Sequence, residues 1–250
     1  MREKADPFPG WVEALERRHR HRLTFSEVRK GLQALSSLYV ERRARLAAGG
    51  ALEGEGKRAA FALYYGPTHF LIVREIVRGL GAGRPRPRAI LDLGCGTGPA
   101  GAAWALEAGA SVEGVDRSSW AVEETRWTLG RLGLRGRARK GDVESATLPP
   151  APAGVVAAFT VNELAPEARA RLFSRLLDAP RAGVRVLVVE PLARRALTWW
   201  DEWVRAFAGR GGREDEWRLR AEVPASVAEL GRAAGLDPTA LGARSLWLPA

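Results

Sequence analysis

One stretch, LDLGCGTGPAG (91–101), concentrates the ligand-binding chemistry of this chain. Glycines let a backbone turn sharply and approach a ligand closely. The N–H groups of a helix beginning at Pro99 would face whatever binds there. Gly96, Gly98 and Gly101 fit G-x-G-x-x-G, the dinucleotide fingerprint. Asp116 closes the next apolar run, where a ribose hydroxyl needs an acceptor, and KGDVESATLP sets Asp142 at the end of a third, within reach of an adenine amino group. FTVNELAPE (159–167) adds Asn162, both donor and acceptor, and Glu163, suited to general-base work. Both also have a purely structural use at the start of a helix, Asn162 as cap and Glu163 against the dipole. Far upstream, YYGPTHF (64–70) gathers Tyr64, Tyr65 and His69. A tyrosine there can stack on a base or close over a ligand, and His69 can take a proton near neutral pH.

These residues need elements to bring them together, and the middle of the chain supplies a βαβ rhythm. Strand candidates are 89–93, 111–116, 137–142, 154–161 and 184–190, with helices near 99–109, 118–132 and 166–178 between them. VRVLVVE shows no alternation, as expected of a strand covered on both faces. Pro99 and Pro166 suit first helical turns, and Ser118 can cap the helix after the second strand. Residues 67–80 read as a helix opening at Pro67, with Phe70, Val73, Ile76, Val77 and Leu80 on one face. A short link joins it to the first strand, so the two run antiparallel and its start lies at the same edge as the glycine loop. Residues 1–64 read as a basic helical extension, in which Thr24 and Glu27 fit a capping box and Val28, Leu32, Leu35, Leu38 and Tyr39 recur at helical spacing. GGALEGEG (49–56) and GAGRPRPR (81–88) are breaks. After residue 190 come an aromatic helix candidate around Leu197, Trp199, Trp200, Trp203 and Phe207, the loop GRGGRED, a helix near 225–235 and a strand at 243–248.

Composition excludes some classes. No apolar run reaches the ~20 residues that span a bilayer, so no membrane segment is expected and a soluble, cytoplasmic chain is the default. The single cysteine, Cys95, excludes an internal disulfide and any four-cysteine metal site. The net charge is +10, and residues 1–88 hold 18 Lys+Arg against 9 Asp+Glu. Such a segment can attract phosphate backbones, and it is equally what a solvated arginine-rich face looks like.

The glycine loop with Asp116 serves nicotinamide and S-adenosylmethionine sites alike. Asp92, two residues before Gly94, is unwelcome beside a pyrophosphate and acceptable beside a cationic, zwitterionic ligand. Helical material before the first strand and Asp142 after the third point the same way. DLGCGTG, GVD and GDV together resemble the class I S-adenosylmethionine-dependent methyltransferases over roughly residues 66–190. The resemblance implies a Rossmann-like α/β fold: a mostly parallel, seven-stranded sheet with helices on both faces and one antiparallel strand near the C-terminus, here with the N-terminal helical extension. It implies S-adenosyl-L-methionine as cofactor, no metal, and a domain over 65–250 with an aromatic insertion around 192–222. Carried over by position, Gly94, Cys95, Gly96 and Gly98 line the methionine and ribose portion, and Asp92 helps hold the methionine end. Asp116, with Arg117 beside it, meets the ribose hydroxyls, and Asp142 and Val143 meet the adenine. Asn162, by its own donor and acceptor, is suited to orient an amine, a base edge or the methionine carboxylate. Asn162, Glu163, His69 and Tyr65 form the candidate catalytic set.

VNEL followed by VLVVEP also resembles the methyltransferase-like proteins of the small ribosomal subunit, although PLARRALTWW has no cysteine where that family carries a cluster. This tilts the expected acceptor toward RNA and the partner toward a ribosomal subunit. A small molecule enclosed by Trp199, Trp200 and Trp203, and a cofactor-binding assembly factor without activity, are the alternatives.

Overall fold

The computed structural model describes residues 5–41, 52–193 and 197–250, with backbone only for 38–41. The side chains of Leu38 and Tyr39 and the glycine pair at 49–50 lie outside the described residues. The helices are α1 (Phe8–Arg20), α2 (Phe25–Glu41), α3 (Glu55–Ala60), α4 (Gly66–Gly79), α5 (Pro99–Ala108), α6 (Ser119–Arg131), α7 (Pro166–Asp178), α8 (Trp200–Ala208) and α9 (Ala225–Ala233). The strands are β1 (Ala89–Leu93), β2 (Ser111–Asp116), β3 (Gly136–Lys140), β4 (Ala153–Ala158), β5 (Val184–Glu190), β6 (Arg213–Leu219) and β7 (Leu241–Leu248).

They form one seven-stranded sheet in the order β3-β2-β1-β4-β5-β7-β6. β7 alone runs against its neighbours β5 and β6. The order reverses between β1 and β4, so a crevice opens outside their carboxyl ends, the usual ligand position in open α/β sheets. β5 is buried at every position, as its largely apolar sequence without alternation predicts. One core cluster joins Trp11, Phe70, Ile76 and Trp104 on the α4–α5 side; a second joins Leu172, Leu176, Trp200 and Trp203 on the α7–α8 side.

The two edge strands depart from the sequence reading. β3 ends at Lys140 rather than residue 142. β6 begins within the expected GRGGRED loop and has no apolar run; its charges are instead paired, Arg244 with Glu214 at 3.1 Å and Glu216 at 2.7 Å. Such charged edges resist pairing with other chains. The expected aromatic insertion at 192–222 therefore contributes α8 and β6, a helix and a strand of the fold itself.

The N-terminal region also differs. Thr24 and Glu27 form the capping box, with Thr24 N–H donating to Glu27 Oε2 at 2.7 Å and Glu27 N–H to Thr24 Oγ1 at 3.3 Å. The helix expected to start at Pro67 begins at Glu55. α3 runs through a π-helical turn, Phe61–Tyr65, directly into α4. Pro67 has no N–H to donate one turn back. The wider turn just before it, in which Gly66 N–H donates to Phe61 O, absorbs the break. Thr68 Oγ1 adds a bond to Tyr64 O at 2.8 Å. The boundary expected after residue 64 thus falls inside a continuous helical rod.

Candidate active site

Between β1 and α5 the loop takes left-handed φ at Gly94 (69°), Gly96 (53°) and Gly98 (85°). Side chains rarely tolerate that region. Space forbids them too: a Cβ on Gly94 would lie 2.4 Å from Thr160 Oγ1, and one on Gly96 3.2 Å from the Phe61 ring. Gly94 N–H donates to Val115 O at 2.8 Å, and Thr160 Oγ1 to Gly94 O at 3.3 Å, so the loop is fastened to β2 and to the end of β4. Buried Asp92 accepts from Gly101 N–H at 2.8 Å, tying the strand end to the first turn of α5. Thr97 is fully buried beside this turn, and its hydroxyl has no partner among the described residues.

Three carboxyls share this crevice. Asp116 accepts from Gly96 N–H at 3.0 Å and Ser118 N–H at 2.8 Å, yet burial outweighs these donors and raises its pKa. Burial pushes Asp92 up to about 7, against the Gly101 N–H and helped by the Asp116 charge. Burial and then the Asp116 charge push Glu163 up to about 8. A cationic group placed among them would reverse these shifts. The helix start with its unpartnered Thr97 hydroxyl suits the opposite, anionic end of a zwitterion. The residues therefore fit a ligand carrying a sulfonium, an ammonium and a carboxylate.

The remaining predicted positions separate. Asp142 is half-exposed and accepts from Arg117 Nε at 2.6 Å; Arg117 also reaches Glu144 at 3.5 Å. Val143 is buried in the core with Leu91 and Val115. The Cys95 thiol is buried, accepts from Thr125 Oγ1 at 3.2 Å, and is held protonated by burial, so only its backbone is left to a ligand. Asn162 and Glu163 sit on a 3₁₀ turn after β4. Asn162 does not cap α7, whose N-cap is Ala165. Instead its N–H donates to Glu190 Oε1 at 3.1 Å. Glu190, buried at the end of β5, escaped the sequence reading; a carboxylate ending the apolar stretch VLVV was the available signal.

YYGPTHF divides. Tyr64 is buried against α9, its ring where a Cβ of Gly231 would fall. Tyr65 and His69 join a row of partly exposed rings running from Trp120 to Phe159. Centroids lie 6.4 Å apart for Trp120–Phe61, 5.8 Å for Phe61–Tyr65, 5.5 Å for Tyr65–His69 and 3.9 Å for His69–Phe159, the last pair stacked. Burial lowers His69 to about 3, so its imidazole stays neutral at neutral pH instead of taking up a second proton. Phe159 stands at φ 57°, a strained value for an aromatic residue. Phe61, Trp120, Phe159 and Thr160 were invisible as site residues because nothing local distinguishes them from core. Conversely, Trp199, Trp200 and Trp203 are core: each is at least 94% buried, in the cluster with Phe207 and packed by Phe173. They do not enclose an acceptor. A cavity of about 310 Å³ lies at the opposite, amino-terminal ends of β1–β3, near Ala89, Ser111, Gly136 and Thr147.

Residues 90–183, the segment from β1 to the start of β5, match a family described as a methyltransferase domain. That segment carries a methyltransferase domain. Its cofactor is S-adenosylmethionine. Solved structures similar to the chain include the following three. A TehB-like SAM-dependent methyltransferase from Corynebacterium glutamicum is 18% identical, over 86% of this chain and 98% of that one, with a TM-score of 0.45. The plantazolicin methyltransferase BpumL in complex with SAH is 13% identical, over 90% and 98%, with a TM-score of 0.48. The methyltransferase domain of bacterial CtHen1 is 11% identical, over 72% and 97%, with a TM-score of 0.49. The search of curated proteins finds no match. No helix among the described residues is long and apolar enough to cross a membrane.

Proposed function

We propose that this methyltransferase acts on RNA, on a base held against the aromatic row at the mouth of the crevice. The row carries the proposal: Trp120, Phe61, Tyr65, His69 and Phe159 follow one another along the edge where the glycine loop, Asn162 and Glu163 meet. Unstacked bases bind to proteins largely by stacking on such rings. Charge supports RNA less directly. Arg18 and His19 bind Glu124, Arg74 binds Asp6, and Arg78 binds Glu107, so part of the basic N-terminal third is engaged within the fold.

In this proposal the backbone of Gly94–Gly98, with Asp92 and Asp116, holds the methionine and ribose portions of the donor. Asp142, fixed by Arg117, and the backbone at Val143 meet the adenine. The donor supplies an activated methyl group when bound. What is left to the protein is alignment and exclusion of water. Asn162 orients the acceptor, on a turn that Glu190 holds still. Glu163, ionised once the donor's positive charge offsets the burial that raises its pKa, receives a proton where the acceptor atom must lose one. Neutral His69 and the Tyr65 phenol, which burial keeps protonated, offer hydrogen bonds without charge.

Incubation with methyl-labelled donor and, separately, ribosomal subunits, bulk RNA and a metabolite extract tests this. Label should enter RNA. Label confined to the metabolite fraction overturns the RNA acceptor, and no binding of donor at all overturns the methyltransferase itself.

A further inference from the structure

We infer that Phe61 is part of the donor site: its ring, carried by the π-turn of the N-terminal rod, closes over the bound donor beside Gly96. The inference rests on the methyltransferase assignment and adds to it that a residue upstream of the family-matched segment, 90–183, completes the cofactor pocket.

Two close approaches place the helical rod on the glycine loop. The Phe61 ring carbons lie 3.2 and 3.3 Å from the position of a Cβ on Gly96. Gly96 N–H is the same group that Asp116 Oδ2 accepts at 3.0 Å, so the ring stands directly next to the expected ribose acceptor. One turn along, a Cβ on Gly66 would lie 3.3 Å from Thr97 Oγ1, the buried, unpartnered hydroxyl of the same loop. Phe61 is not sealed into the core. It stays partly exposed between Trp120 and Tyr65, as a ring lining a cleft does.

The helix geometry explains why this ring and no other arrives there. A π-turn inserts an additional residue per turn and rotates everything before it about the helix axis. Pro67 interrupts the regular bonding, Gly66 N–H reaches back to Phe61 O, and Phe61 becomes the residue that opens the wide turn. π-turns inside α-helices recur at functional sites. Here the distortion also has a position, against a loop whose glycines are required by both φ and space.

Isothermal titration of the full chain with S-adenosylhomocysteine tests the inference. Wild type should bind, and Phe61→Ala should bind at least about tenfold more weakly. Phe61→Leu retains bulk and should lose about threefold or more, which decides the matter if the alanine variant does not fold. Phe70→Leu, a change in the buried core of the same rod, should lower the melting temperature and leave affinity within about twofold. Phe61 variants within about twofold of wild type overturn the inference, as does equal weakening by Phe70→Leu. Failure of wild type to bind would instead remove the methyltransferase assignment on which it rests.

Discussion

Glu124 on α6 is the point where the N-terminal helices are fastened to the sheet domain, and its removal should be measurable. Its carboxylate is only 4% exposed and takes Arg18 Nη2 at 2.8 Å and His19 Nε2 at 3.0 Å, both from the last turn of α1. Arg18 Nε adds a third donor at 3.1 Å to each oxygen. Burial opposes ionisation, but His19 and Arg18 together outweigh it and hold the carboxyl below its ordinary 4.5. Breaking a buried pair from one side costs about 3–5 kcal/mol. Arg18 is 37% exposed and can turn to water, so Glu124→Ala should cost roughly 2–3 kcal/mol. For a chain of this size that is a fall in melting temperature of about 4–12 °C. Glu124→Gln keeps an acceptor and should lose less. Because the folded pKa is depressed, the carboxylate's contribution is complete above the unfolded value and disappears as pH falls through the folded one. Thermal melts at neutral pH and near pH 3 should therefore show a deficit for Glu124→Ala that shrinks in acid. A melting temperature unchanged at neutral pH, or an equal deficit at both pH values, would refute the role of this cluster.

Asp116→Ala should weaken S-adenosylhomocysteine binding by at least about tenfold, since it removes the proposed ribose acceptor and leaves the Gly96 and Ser118 N–H groups unsatisfied; titration calorimetry reads it directly. Phe159→Gly should be more stable than Phe159→Ala by about 1 kcal/mol, because both lose the His69 stack and only glycine relieves φ 57°; chemical denaturation giving the reverse order would remove the strain. Glu163 keeps its proton up to about pH 8 when folded and loses it near 4.5 when unfolded. The folded chain then holds more protons across that window, so wild-type stability falls with rising pH, and Glu163→Gln should gain on wild type between those limits. Parallel unfolding curves at all pH values would show that Glu163 is not held in a desolvated crevice.

The sheet was legible because its centre obeys local rules. β1, β2 and β5 are apolar runs ended by turn residues, and their bounds match the sequence reading. The glycine loop was legible because glycine at 94, 96 and 98 marks backbone that no other residue adopts easily. What escaped depends on partners distant in sequence. β6 is polar because it is an edge, and only its pairing with β7 makes it a strand. Phe61 and Trp120 are separated by 59 positions and become neighbours only when the rod lies across the glycine loop. Trp199, Trp200 and Trp203 misled in the opposite direction: a dense aromatic group looks like a pocket, yet the face formed by α7 and α8 needed bulk to fill its core. Pro67 misled by a sound rule applied with too little context. Proline favours a first turn, but here the π-turn accommodates it well inside a helix.

The rod changes how the basic N-terminal third is to be understood. Arg84, Arg86 and Arg88 are exposed, but they precede β1 and lie at the end of the sheet remote from the glycine loop. At the mouth itself stand Arg58, its guanidinium 5.7 Å from the Trp120 ring centroid, and Arg117, already paired with Asp142. Among the described residues, positive charge therefore does not converge on the crevice as it would if phosphate contacts positioned the acceptor there. Rings converge on it instead. An RNA acceptor would have to be held at the reacting end by stacking, with phosphate contacts made elsewhere on the surface. Mutation of the mouth and mutation of the remote arginines should then separate. Phe159→Leu should lower transfer to RNA at any ionic strength. Arg84, Arg86 and Arg88 changed together to Gln should weaken RNA binding chiefly at low salt and reduce the slope of affinity against salt, because each phosphate contact releases condensed counterions. Equal salt dependence in the two variants would remove the division of labour between rings and charge.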